Sequence, residues 1–172
     1  DLDSMYPKLN YFLVNTRYTA SFLRNNKISA RSALRYGLTT EMFQPFFVDS
    51  NLLEPAYNIG LTSFVWKKRL DTRNPFHFLV QPFVQWKYSL TEKISTVIGF
   101  HAQYFTLNNR FSLEPRFSFK YQFKSNQSIA FGTGLYSQML PVYQYFVQDV
   151  NGNTYNKNLD FMRSFHVVLG YD

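Results

Sequence analysis

Glu114, Arg116 and Lys120 bring a carboxylate close to two cations in one short stretch. Such a set can do acid–base work, because nearby cations make the carboxyl give up its proton more readily. The plainer reading, preferred here, is a ladder of ion pairs lining an inner wall or meeting another protein surface. His77, His101 and His166 carry the ligand type of a metal centre. They lie in three separate stretches and nothing in their spacing fixes them at one height, so they read as wall-lining polar residues. Ser137 and Ser164 offer hydroxyl nucleophiles, but no His and Asp stand in a recognisable arrangement with either. Gly132-Thr133-Gly134 is followed by no helix, so it is not a phosphate-cradling loop. No catalytic residue, metal site or cofactor is assigned, and an enzyme is not expected.

What must position these groups is a set of long strands. From Phe111 to Lys124, every odd residue is apolar or aromatic and every even one polar or charged. Successive side chains of a strand point to opposite faces, so this stretch predicts a ribbon with two chemically opposite surfaces. As a helix, the same residues would show no apolar stripe. A bilayer-crossing strand needs about 9–11 residues plus rims, alternating apolar outward and polar inward.

Similar alternation predicts strands at 10–24, 28–44, 76–90, 94–107, 111–124, 128–139 and 163–171. The fold class expected is an all-β antiparallel meander, a segment of a large transmembrane outer-membrane barrel. Turns at 25–27, 91–93 and 125–127 are short; 108–110 is intermediate; 45–75 and 140–162 are long loops. A membrane meander puts short turns on the periplasmic side and long loops outside, so this alternation fits one. Within the first loop, Tyr57–Lys67 suits a strand extension or a loop hairpin. Pro82 and Pro115 fall mid-strand, where proline removes a ladder donor, and bulges are expected there. Seven strands leave two raw edges, which lipid penalises by several kcal/mol per unpaired group, so the chain is expected to continue into further strands.

On this scheme the lipid-facing residues include Phe78, Val84, Trp86, Phe100, Phe117, Phe119, Tyr121, Phe131 and Leu169. The lumen-facing polar residues include Arg17, Arg31, Arg35, Lys87, His101, Glu114, Arg116 and Lys120, with Lys124 and Glu41. The excess of cations on that wall suits anionic solutes or an acidic plug surface.

Composition agrees with this scheme. Aromatic residues make up 20% of the 172, with 19 Phe and 13 Tyr. No apolar run approaches the roughly 20 residues of a helical span. With no Cys, disulfides and thiolate metal sites are excluded. The net charge of +7 raises nucleic acid as a partner, but the cations are spread along polar faces rather than clustered, so none is expected. Asp1-Leu2-Asp3-Ser4 has no basic and apolar leader pattern, so a leader was processed off or the chain is a piece of something longer.

Several stretches resemble one family. They are Ser112-Leu113-Glu114-Pro115-Arg116, Tyr121-Gln122-Phe123, Asn126-Gln127-Ser128, Gly134-Leu135-Tyr136-Ser137-Gln138, Asn156-Lys157-Asn158-Leu159 and His166-Val167-Val168-Leu169-Gly170-Tyr171-Asp172. Each is similar to the later barrel half of TonB-dependent transporters of the Bacteroidota. Gln85-Trp86-Lys87-Tyr88 and Leu107-Asn108-Asn109 fit the same pattern. The resemblance covers about 77–172. It implies a parent with a signal peptide, a small N-terminal domain, a plug and a barrel of about 22 strands, importing bulky nutrients across the bacterial outer membrane under TonB drive. The chain itself shows no plug and no TonB box. The expected partners are outer-membrane lipid, the parent's other strands and plug, TonB through the parent, and a surface lipoprotein. Two alternatives stand beside this: a complete small eight-stranded barrel, and a structural or interaction barrel subunit in a larger outer-membrane complex. Loop aromatics Tyr143, Tyr145, Phe146 and Tyr155 would suit the latter.

Overall fold

The structure, a computed structural model, describes residues 9–53, 63–73, 76–149 and 151–172. The described residues form an antiparallel sheet of eight strands: β1 (Leu9–Lys27), β2 (Ser32–Leu53), β3 (Val65–Arg73), β4 (His77–Ser89), β5 (Ile94–Phe105), β6 (Arg110–Lys124), β7 (Gln127–Gln138) and β8 (Met162–Tyr171). The order across the sheet is β1-β2-β4-β5-β6-β7-β8, with β3 paired to β2 off that path. The all-β meander expected from alternation is therefore present. No helix among the described residues is long and apolar enough to cross a membrane, which says nothing of strands.

Three local expectations change. The first turn is not at 25–27. Strand β1 runs through Asn25 and Asn26 to Lys27, and the chain reverses at 28–31. There Ile28 N–H donates to the Ser32 carbonyl (2.9 Å) and the Ser29 hydroxyl accepts the Arg31 N–H (3.2 Å). Serine stabilises this local turn by bonding the backbone two residues on.

The loop expected at 45–75 begins later and contains a strand. Strand β2 continues through Phe46, Phe47 and Val48 to Leu53, and β3 returns along it from Leu53↔Val65 to Phe46↔Arg73. Aromatic and β-branched residues favour the pleated surface, and Pro45 did not stop it. The extension or hairpin expected at Tyr57–Lys67 lies largely outside the described residues; Val65, Trp66 and Lys67 are in β3.

In the β4–β5 and β5–β6 pairings no bulge falls at the two prolines. The β4–β5 register stays in step from Val80↔Tyr104 to Phe83↔His101, and β5–β6 passes Phe100↔Pro115 unshifted. Shifts fall instead between Asp49 and Ser50 and between Gln122 and Lys124. Proline omits a donor but adds no residue, so its neighbours can hold the register. Pro115 does mark a limit: the β6–β7 register runs from Lys124↔Gln127 to Arg116↔Gly134, beside it.

The chain divides into two compact units. One comprises Asp1–Arg17, Phe43–Phe76 and Leu140–Leu159. Its core holds Phe43, Phe47, Leu70, Val142 and Tyr145, and Phe146 meets the Phe47 ring edge-on at 6.3 Å. Arg69 pairs with buried Asp49 at 2.5 Å, and its carbonyl accepts the Gln148 N–H (2.8 Å). Two short 3-10 turns, Val142–Phe146 and Tyr155–Asn158, lie in the stretch read as the second long loop.

The other unit comprises Tyr18–Met42, His77–Met139 and Asp160–Asp172. On parts of β5 and β6 polar side chains are buried between exposed apolar ones, while Leu79 and Phe105 are buried as well. On β6, Phe111 and Leu113 are 55% and 51% exposed, whereas Ser112 and Glu114 between and beside them are 2% and 1% exposed. Gln103 is buried on β5, while Phe100 and Tyr104 are open. Toward the short-turn end the polar face opens too, and Lys120, Gln122 and Lys124 are exposed.

Candidate functional site

The antiparallel register builds the site. On β5 and β6, His101 stands opposite Glu114, Gln103 opposite Ser112 and Gly99 opposite Arg116. On β7 and β8, Gly134 stands opposite both Arg116 and His166. Period-two alternation turns the side chains of one row toward one face, so His101, Gln103, Glu114 and Arg116 share it.

Glu114 is the centre. Arg116 donates to its Oε2 at 2.6 Å, Gln103 Nε2 donates to its Oε1 at 2.6 Å, and the Ser137 hydroxyl donates to Oε1. His101 Nδ1 lies 3.1 Å from Oε2, an approach without hydrogen-bond alignment. Gln103 Nε2 also reaches the Ser137 carbonyl at 2.8 Å. A buried carboxylate survives only when donors replace its water, and here both oxygens are supplied. The Arg116 guanidinium lies over the Tyr136 ring, 4.4 Å from its centroid, and Tyr136 meets the His166 ring at 4.8 Å. His166 Nε2 is 3.0 Å from Ser164 Oγ.

Chemically this is a held charge. The Ser137 hydroxyl is bonded to the carboxylate rather than to an imidazole, unlike the serine of a Ser-His-Asp triad. The three histidines do not converge. His77 packs edge-on against Phe105, His101 faces Glu114 and His166 faces Tyr136. Among the described residues, no three His, Asp or Glu side chains come together as a metal site.

Of the expected lumenal residues, His101, Glu114 and Arg116 meet in this cluster. Arg35 and Arg116 line one cleft of about 270 Å³ with Gly99, Gln85 and His101. Arg31, Arg35 and Lys87 line a second cavity. Arg17 is exposed on β1, and exposed Lys120 lies 4.0 Å from Asp172 Oδ2. The expected lipid-facing residues Phe78, Val84, Trp86, Phe100, Phe117, Tyr121, Phe131 and Leu169 are all exposed. Phe119, opposite Thr96 and Phe131, is half-buried.

Sequence reasoning left out Gln103, Tyr136 and Ser137 as members of the cluster. Gln103 shares the parity of His101, a usable signal. Ser137 does not: alternation puts it with Leu135 on the apolar face. Its turn toward Glu114 comes beyond Gly134, where the β6–β7 register ends. No protein-family model, no curated protein and no solved structure matches the chain.

Proposed function

We propose that the chain is a segment of the outer-membrane barrel of a TonB-dependent transporter of the Bacteroidota, which takes up bulky nutrients. One observation carries the reading: on β6 the sheet closes over Glu114 and Ser112 while Phe111, Leu113 and Phe117 stand open. Burying a side chain such as Phe or Leu contributes about 1.5–3 kcal/mol, so an open face of them needs an apolar medium. Lipid supplies that medium, and the polar face then lines a lumen. Strands β1 and β8 stand at the two ends of the sheet order, and β8 is open on both faces, with Leu169 75% exposed. In this reading both pair with further strands of the same barrel, which a closed eight-stranded barrel would not require.

The interaction-subunit reading loses part of its support. Tyr145 is buried and Phe146 packs on Phe47, so of the four loop aromatics only Tyr143 and Tyr155 stand open to a partner.

The test is a W66F variant, leaving Trp86 as the one tryptophan, in bilayers with brominated acyl chains. Strong quenching of Trp86 is expected. A chain that is monomeric in detergent-free buffer and unquenched in such bilayers would falsify the membrane reading. Nutrient uptake by the parent that persists without TonB would remove the transport reading alone.

A further inference from the structure

At the β1–β2 turn the sheet holds a cavity of about 580 Å³ whose lining includes Lys27, Arg31, Arg35 and Lys87. No Asp or Glu among the described residues lines it. This sets these cations apart from three of the chain's arginines. Arg69, Arg116 and Arg163 have carboxylate partners in Asp49, Glu114 and Asp160. None of the four lining cations makes an ion pair among the described residues. Arg35 is held instead with its guanidinium 6.0 Å from the Phe83 ring centroid. Like charges gathered in one concavity repel, and an occupant of opposite charge relieves that repulsion. Asn25, Asn26, Ser29 and Gln85 add neutral polar groups around the same space. The volume is that of a small-molecule site, too small for a macromolecule.

We infer that this cavity, lined by Lys27, Arg31, Arg35 and Lys87, binds a small solute bearing two or more phosphate or carboxylate groups. Its place in a lumen rests on the transport reading, but the cavity and its charge do not. Arginine suits both oxyanions because its planar fork donates two parallel hydrogen bonds.

Pyrophosphate and tricarballylate are the probes, titrated calorimetrically into the protein in uncharged detergent micelles. At least one is expected to bind, more weakly as salt rises. Which one binds tells phosphate from carboxylate chemistry. Arg31→Gln and Lys87→Gln should each weaken binding roughly tenfold, the usual worth of a hydrogen bond to a charged group. Both residues are exposed, so these variants should fold as the parent does. Arg31→Lys should retain part of the affinity, and Lys157→Gln, in the loop, should change nothing. Failure of both probes overturns the inference, as does an equal loss in Lys157→Gln, which would mean unspecific charge attraction. The readout is independent of insertion. Binding without Trp86 quenching would leave the site and remove the transport reading; quenching without binding would do the reverse.

Discussion

Arg116 lies across Gly134. A Cβ on Gly134 would come 3.0 Å from Arg116 Cγ and 3.2 Å from the Pro115 carbonyl oxygen. The absent side chain therefore gives the guanidinium its path to Glu114 and to the Tyr136 ring. At Gly132, two residues earlier on β7, a Cβ would meet nothing within 4 Å. Gly134→Val should destabilise the sheet by about 1–3 kcal/mol, the usual cost of overpacking. Gly132→Ala should stay within about 0.5 kcal/mol of the parent. Urea unfolding in detergent measures both, and equal effects would show that Gly134 is not a passage for Arg116.

Glu114 is the acceptor that satisfies Arg116, Gln103 and Ser137 at once. Glu114→Ala should cost about 3–5 kcal/mol, the range for breaking a buried ion pair. Because Arg116 is half-buried and water can partly serve it, the lower end is expected. Glu114→Gln keeps one acceptor oxygen and should cost less. The same unfolding experiment decides, and a Glu114→Ala loss below about 1 kcal/mol would deny the cluster its structural weight.

Asp149, in the loop after β7, has a carboxyl held below the usual aspartate range. The largest cause is the Asn153 backbone N–H, followed among the lowering effects by the Asn153 side chain, the Asn151 N–H and the charge of Lys67. Its Oδ1 accepts the Asn151 and Asn153 N–H groups at 2.7 and 2.8 Å. A group whose pKa is depressed in the folded state stabilises that state fully above its ordinary pKa. The contribution is lost as pH falls through the lower, folded value. The bonds from Asn151 and Asn153 to Asp149 should thus hold at neutral pH and be lost in acid. Amide shifts of Asn151 and Asn153 followed through an acid titration should move with a midpoint below an ordinary aspartate, and Asp149→Ala should abolish that step. A midpoint above the ordinary value would refute the assignment.

Much of this protein was legible in its residues because strand alternation is local. The switch between apolar and polar at each step from Phe111 to Lys124 needs no partner to read, and it determined β6, its two faces and the antiparallel meander around it. The expected placement of His101, Glu114 and Arg116 on one face followed from parity alone. What alternation cannot contain is which strand stands beside which, at what register, and how far the pairing runs. The reversal at 28–31, the β3 return along β2 and the stretch beyond Gly134 that turns Ser137 toward Glu114 all depend on such non-local pairing. So does the closure over Glu114: a period of two separates two faces, but only neighbouring strands decide which one is shut from water.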